Sequence, residues 1–205
     1  MSCVPALSST EVDALREMAN IGSGHAATVL SQMTGVSVMI DVPRVSVAPL
    51  GAVASRFAAP DERVVALTME MLGDLRGHTS FLMREPNAGV LADLLLQRPV
   101  GSGTTFGPLE QSSLKELGNI MAGSFLNALA QCMGNYLLPS VPIFQVDRSA
   151  AFATPAFGGS ESALVVATDF RFDEPVLADH ELHGMFLYAL DEASIAALLG
   201  AMQVA

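Results

Sequence analysis

Four side chains in this sequence combine types and spacing that could handle a phosphoryl group: Glu17 with Asn20, and Glu116 with Asn119. In each pair a carboxylate and a carboxamide stand three residues apart, which makes them neighbours on one face of a helix. A carboxamide donates and accepts at once, so it can hold a water molecule and a phosphoryl oxygen together. A glycine follows each asparagine by four residues, Gly24 and Gly123. An exposed Asn costs a helix roughly half a kcal/mol and an interior Gly about 1 kcal/mol, so neither serves stability. A glycine one turn beyond the amide lets another backbone approach closely.

Found once, Glu-x-x-Asn is most simply a solvated helix face. Here it is written twice. A shift of 99 positions carries Glu17 onto Glu116, Asn20 onto Asn119, Ile21 onto Ile120, Gly24 onto Gly123, Leu30 onto Leu129, Gly35 onto Gly134 and Pro43 onto Pro142, without a gap. Gly77 reaches Gly184 only after about eight extra residues around Phe172 to Asp179 in the second copy. The halves are therefore expected over about 8–99 and 107–205. Each is too small to close its own core well, so the two are expected to share one sheet about a pseudo-two-fold axis.

The elements that must position these residues can be read in order. Ser8 as N-cap with Glu11 three residues on forms a capping box, with Leu7 and Val12 as a possible staple, and the helix should run to Thr34 before Gly35. At about 100° per residue, Val12, Leu15, Ala19, Ala26, Val29, Leu30 and Met33 form the core arc. Asp13, Glu17, Asn20 and Gly24 share the opposite arc. Extended segments follow at Val36–Val42, Val45–Leu50, Val64–Met71 and His78–Met83, then a helix from about Asn87 to Gln97. Arg98 to Gly107 reads as a short connector. Pro108 opens a second long helix to about Met133, followed by extended Tyr136–Val146, Ala163–Phe172 and Leu182–Leu190 and a helix from Asp191 to about Met202.

The arrangement of Asp or Ser, three residues, Glu, two residues, Asn, twenty-two residues and Pro resembles the signature of the CheC/CheX/FliY family of bacterial and archaeal chemotaxis phosphatases. Asp13, Glu17, Asn20 and Pro43 carry it in the first half; Ser112, Glu116, Asn119 and Pro142 carry it in the second. Two complete signatures favour the CheC-type members, since CheX resembles a single-site unit and FliY has an additional C-terminal domain for which no room is expected here. The resemblance implies an α/β (α+β) single domain with a shared, mainly antiparallel sheet and two long signature helices exposed on one side. It also implies hydrolysis of the aspartyl phosphate on the response regulator CheY, a phosphoryl transfer that rests on positioning and charge neutralisation. Asn20 and Asn119 would orient the attacking water, Glu17 and Glu116 would pair with the regulator's lysine, and Mg2+ would belong to the regulator. No cofactor or metal of the chain's own is expected. CheC-type proteins also bind the deamidase CheD, so a module that mainly retains phosphorylated CheY or CheD is the alternative. Pro43 and Pro142 are expected to shape the chain, not to touch substrate.

Composition limits the other possibilities. The chain has 205 residues, is 51% hydrophobic and carries a net charge of -11 with only ten Lys and Arg, a poor balance for a nucleic-acid backbone. Apolar runs such as Met185–Leu190 are far shorter than the roughly 20 residues of a membrane span, and no basic-then-apolar leader opens the chain. Cys3 and Cys132 suggest no disulfide framework, which suits the cytoplasm, and Cys132 lacks an electropositive setting that would activate it. Gly22-Ser23-Gly24 and Gly101-Ser102-Gly103 lack the Gly-Lys-Ser/Thr of a phosphate loop. His180 and His183, beside Asp179 and Glu181, lack a third ligand group, and His25 and His78 are isolated. Met18, Met33, Met39, Met69 and Met71 are expected to fill core gaps.

Overall fold

The computed structural model of the chain describes residues 7–103, 105–134, 136–153, 162–172 and 182–202. Helix α1 (Ser9–Thr34) begins with the capping box that Ser8 and Glu11 spell. The Ser8 backbone N–H donates to the Glu11 carboxylate at 2.8 Å, and the Glu11 N–H donates to Ser8 Oγ at 3.3 Å. Gly35 ends the helix at φ 71°, the left-handed C-terminal position that favours glycine. Strands β1 (Val38–Ile40) and β2 (Arg44–Pro49), helix α2 (Leu50–Phe57), strands β3 (Arg63–Gly73) and β4 (Gly77–Arg84) and helix α3 (Glu85–Leu95) complete the first half. The second half repeats the order: α4 (Pro108–Met133), β5 (Leu137–Pro139), β6 (Ile143–Arg148), a 3-10 turn at Ser149–Ala153, β7 (Ser162–Phe172), β8 (His183–Leu190) and α5 (Glu192–Met202).

All eight strands join one antiparallel sheet in the order β1-β7-β8-β4-β3-β5, with β2 also on β7 and β6 also on β3. Each half therefore lends its two short strands to the long strand of the other. The register carries the repeat: Thr68 pairs with Ile143, and the 99-residue shift turns that pair into Ala167 with Arg44. At the centre Gly77 faces Leu190 and Met83 faces Gly184, pairs that exchange when β4 is moved onto β8. The pseudo-two-fold axis passes through the Ser80–Leu187 pair.

Alternation along the strands builds two cores. Val65, Leu67, Met69 and Met71 of β3, with Phe186, Tyr188 and Leu190 of β8, point to the layer of α1, α3, α4 and α5. Val64, Ala66, Met185, Leu187 and Ala189 point to the other face, where Val53 and Phe57 of α2 and Phe152 of the 3-10 turn cover them. This second layer has no counterpart in the sequence pattern. Leu50–Phe57 is too short for a helix to announce itself, and burial of Val53 and Phe57 supplies what propensity cannot.

Other departures are local. The expected Tyr136–Val146 strand is divided into β5 and β6 around buried Pro142, as β1 and β2 are divided around buried Pro43. Helix α3 starts at Glu85, ahead of the expected Asn87, because Pro86 fits a first turn. On α1 the buried face contains Gly22, Ser23, Ala27 and Thr34, while Val12, Val29 and Met33 are half-buried, since α1 packs on both α4 and the sheet. Met69 and Met71 are core, but Met39 is 56% exposed on edge strand β1. No helix among the described residues is long and apolar enough to cross a membrane. Expectations placed on Cys3, the extra segment after Phe172, Asp179, His180 and Glu181 lie outside the described residues, as does the Cys132 side chain.

Candidate functional site

The two long helices pack against each other and hold the signature residues outward. Asp13, Glu17 and Asn20 on α1 are exposed, as are Ser112 and Glu116 on α4, with Asn119 half-buried. None of Glu17, Asn20, Glu116 and Asn119 has an intramolecular side-chain hydrogen bond or ion pair among the described residues. A carboxamide and a carboxylate left free on a rigid helix are available to a second molecule.

The glycines separate into two kinds. A Cβ on Gly22 would lie 2.3 Å from Phe125 Cδ2, so this glycine is required where α1 meets α4. Next to it, Ser23 is buried and its Oγ donates to Thr168 Oγ1 at 3.0 Å, tying α1 to β7. A Cβ on Gly24 or Gly123 would meet nothing within 4 Å. No contact inside the chain calls for glycine at these two positions, and the space they leave faces outward.

In the second half the whole signature comes together. Ser112, Glu116, Asn119 and Pro142 line one open groove of about 300 Å³, completed by Lys115, Pro139, Ser140 and Val141. The Ser140 N–H donates to the Glu70 carbonyl and Ser140 Oγ accepts from the Glu70 N–H, both at 2.9 Å, so the β5–β6 turn is fastened to β3. In the first half Pro43 lines a groove of about 540 Å³ with Arg16, Val42, Arg44 and Arg56, but Asp13, Glu17 and Asn20 are not in its lining. Arg16 bonds Asp13 at 2.9 Å and Arg44 bonds Asp169 at 2.6 Å. Burial pushes the Asp169 carboxyl up, but hydrogen bonds from His183 and Arg44 outweigh it and hold the group below its ordinary range.

The sequence pattern did not single out Lys115, Ser140 and Val141, nor their counterparts Arg16, Asp41 and Val42. The signal was present, since the 99-residue shift also superposes these positions. Val42 and Val141 are 71% and 83% exposed, an apolar rim in front of each buried proline.

Sites set aside on sequence find other duties. Gly101-Ser102-Gly103 closes on the buried Asp93 carboxylate, to which Ser102 Oγ donates at 3.3 Å and the Gly103 N–H at 3.2 Å. Arg98 joins Asp93 at 3.3 Å to Glu110 at 2.8 Å, so the connector clasps the two halves. The Glu110 carboxyl is held below its usual range by backbone hydrogen bonding at the start of α4 and by Arg98. His183 stacks on Phe57 with ring centroids 5.5 Å apart and lies 3.4 Å from Asp169. Among the described residues no three His, Cys, Asp or Glu side chains gather as a metal site.

A model of the CheC-like family matches residues 11–47 and 109–145, which run from α1 into β2 and from α4 into β6. The chain is 31% identical over 193 residues to the CheY-P phosphatase CheC of Bacillus subtilis (strain 168), covering 91% of each. The chain belongs to the CheC-like family. It is also 29% identical over 125 residues to the flagellar motor switch phosphatase FliY of the same strain, a match spanning 60% of this chain and 32% of that protein. The crystal structure of Thermotoga maritima FliY shares the fold, with a TM-score of 0.75 at 22% identity over 97% of this chain and 98% of the other. Both family-matched segments hold a complete Glu, Asn and Pro set, so the second copy is as much a member of the family as the first.

Proposed function

We propose that the chain is a phosphatase of phosphorylated CheY, acting on the regulator's aspartyl phosphate. The observation that carries this reading is the second groove, which an unpartnered Glu116 and Asn119 line together with Ser112 and Pro142. Asn119, and Asn20 on the other helix, enter the regulator's active site and orient a water for in-line attack on phosphorus. The water oxygen forms the new bond to phosphorus, the bond from phosphorus to the aspartyl oxygen breaks, and inorganic phosphate and a free carboxylate leave. Glu116 and Glu17 pair with the regulator's lysine and fix the two proteins in register, which supplies the orientation on which phosphoryl transfer depends. The Mg2+ that neutralises phosphoryl charge belongs to the regulator. Gly123 and Gly24 leave the clearance that such an approach requires.

The test is the rate of phosphate loss from phosphorylated CheY with wild type, Asn20→Ala, Asn119→Ala and the double variant. The double variant should fall by about a hundredfold or more, the scale of a lost positioning group. An unaltered rate there overturns the mechanism. Stoichiometric retention of phosphorylated CheY, or of CheD, without turnover would replace the enzyme with a binding module.

A further inference from the structure

The 99-residue shift that superposes the signatures also shows where the two sites part company, and the difference centres on one cation. Lys115 lies one turn before Asn119 on α4, at a spacing that puts both on one helix face, and both line the same groove. Among the described residues its ammonium has no hydrogen bond or ion pair. Its counterpart Arg16 is bonded to Asp13 at 2.9 Å, and Asp13 is replaced by uncharged Ser112 in the second half. The exchange continues along the rim. Asp41, ion-paired with Arg171, becomes Ser140, and Arg44, ion-paired with Asp169, becomes Ile143. Among the described residues the first groove has Arg16 and Arg44 already paired and Arg56, on α2 and not on the signature helix, without a bond, whereas the second has Lys115 uncommitted on the signature helix itself, against an uncharged, partly apolar rim.

An exposed ion pair contributes little, so the Arg16–Asp13 bond alone would not silence Arg16. What matters is net charge at contact distance: Asp13 stays within reach of anything that Arg16 approaches. Lys115 has only Glu116 as a charged companion in its groove, and on the phosphatase reading Glu116 is engaged by the partner's lysine. We propose that Lys115 is a positioning residue of the second site, which holds the dianionic phosphoryl group of the incoming phosphoprotein beside Asn119. This rests on the phosphatase reading and assigns within it a role that the signature does not contain. Because the ammonium acts on the ground-state dianion as much as on the transition state, its loss weakens binding more than turnover.

Steady-state phosphate release from phosphorylated CheY, measured in the Asn20→Ala background so that only the second site turns over, tests this directly. Lys115→Gln should raise KM roughly threefold to tenfold, leave kcat within about twofold and flatten the dependence of KM on salt. Lys115→Arg should restore KM, which a merely structural role would not predict. Arg16→Gln in the Asn119→Ala background should move KM by less than about twofold, since Asp13 already offsets that charge. An unchanged KM for Lys115→Gln, or a fall in kcat alone, overturns the role of Lys115 and leaves the phosphatase reading standing. Full activity in the Asn20→Ala, Asn119→Ala double variant overturns the phosphatase reading itself.

Discussion

The two signature helices carry Glu, Asn and Gly at the same spacing, yet they stand in different surroundings. On α4 the pair Glu116 and Asn119 lines a groove with its proline, and Asn119 is half-buried against it. On α1 the pair Glu17 and Asn20 is exposed, while the proline belongs to a groove with Arg16, Arg44 and Arg56 that the pair does not line. A local motif can thus be duplicated faithfully and still stand in two unlike settings, because Asp41 and Arg44 of the first half are replaced by Ser140 and Ile143 in the second.

The sharpest way to break this comparison is to remove one amide at a time. Asn119→Ala should lower phosphate release from phosphorylated CheY by about threefold, and Asn20→Ala by only about one and a half-fold, because a preformed wall restricts the amide before the partner arrives. Equal losses would show that the grooves do not matter. Next in size is the helix crossing. Gly22→Ala drives a methyl into Phe125, whose ring stacks on Tyr188 with centroids 3.4 Å apart, and should cost about 1–3 kcal/mol in denaturant unfolding. Phe125 lies on α4, so the strain should loosen the crossing of both signature helices, as amide exchange along α1 and α4 would show. The smallest effect comes from the open glycines. Gly24→Ala and Gly123→Ala should each raise stability by up to about 1 kcal/mol in a thermal melt while lowering phosphatase activity. A gain in stability with no loss of activity would show that the clearance is unused.

Much of the architecture was legible because it rests on local rules. The Ser8–Glu11 box, Pro108 at the opening of α4, and Gly35 and Gly134 at φ 71° and 68° mark helix ends by short-range sterics and hydrogen bonds. The repeat was legible too, and the strand register follows its shifts of 99 residues and, past the extra segment, of eight more. Helix α2 was not, since eight residues carry too little periodicity. Met39 was misplaced for a related reason: an edge strand has one open face, and its apolar pattern does not say which residues meet it. The candidate site divided in the same way. Glu116, Asn119, Ser112 and Pro142 were identifiable by type and spacing, but Lys115 and Val141 are ordinary residues until the β5–β6 turn folds against α4.

The sequence by itself determined the two helices, the outward arc that carries Glu17, Asn20, Glu116 and Asn119, and their duplication, because helical periodicity and end signals act over a few residues. Tertiary structure alone decided that each half completes its sheet with the other's short strands, and that Ser112, Glu116, Asn119 and Pro142 come to line one groove. It also decided that Arg44 is taken by Asp169, whereas the Arg16–Asp13 pair is local to α1. Those outcomes depend on which distant side chains become neighbours, and the meeting of charges such as Arg44 and Asp169 across β2 and β7 is fixed by the packed sheet, not by any segment of chain.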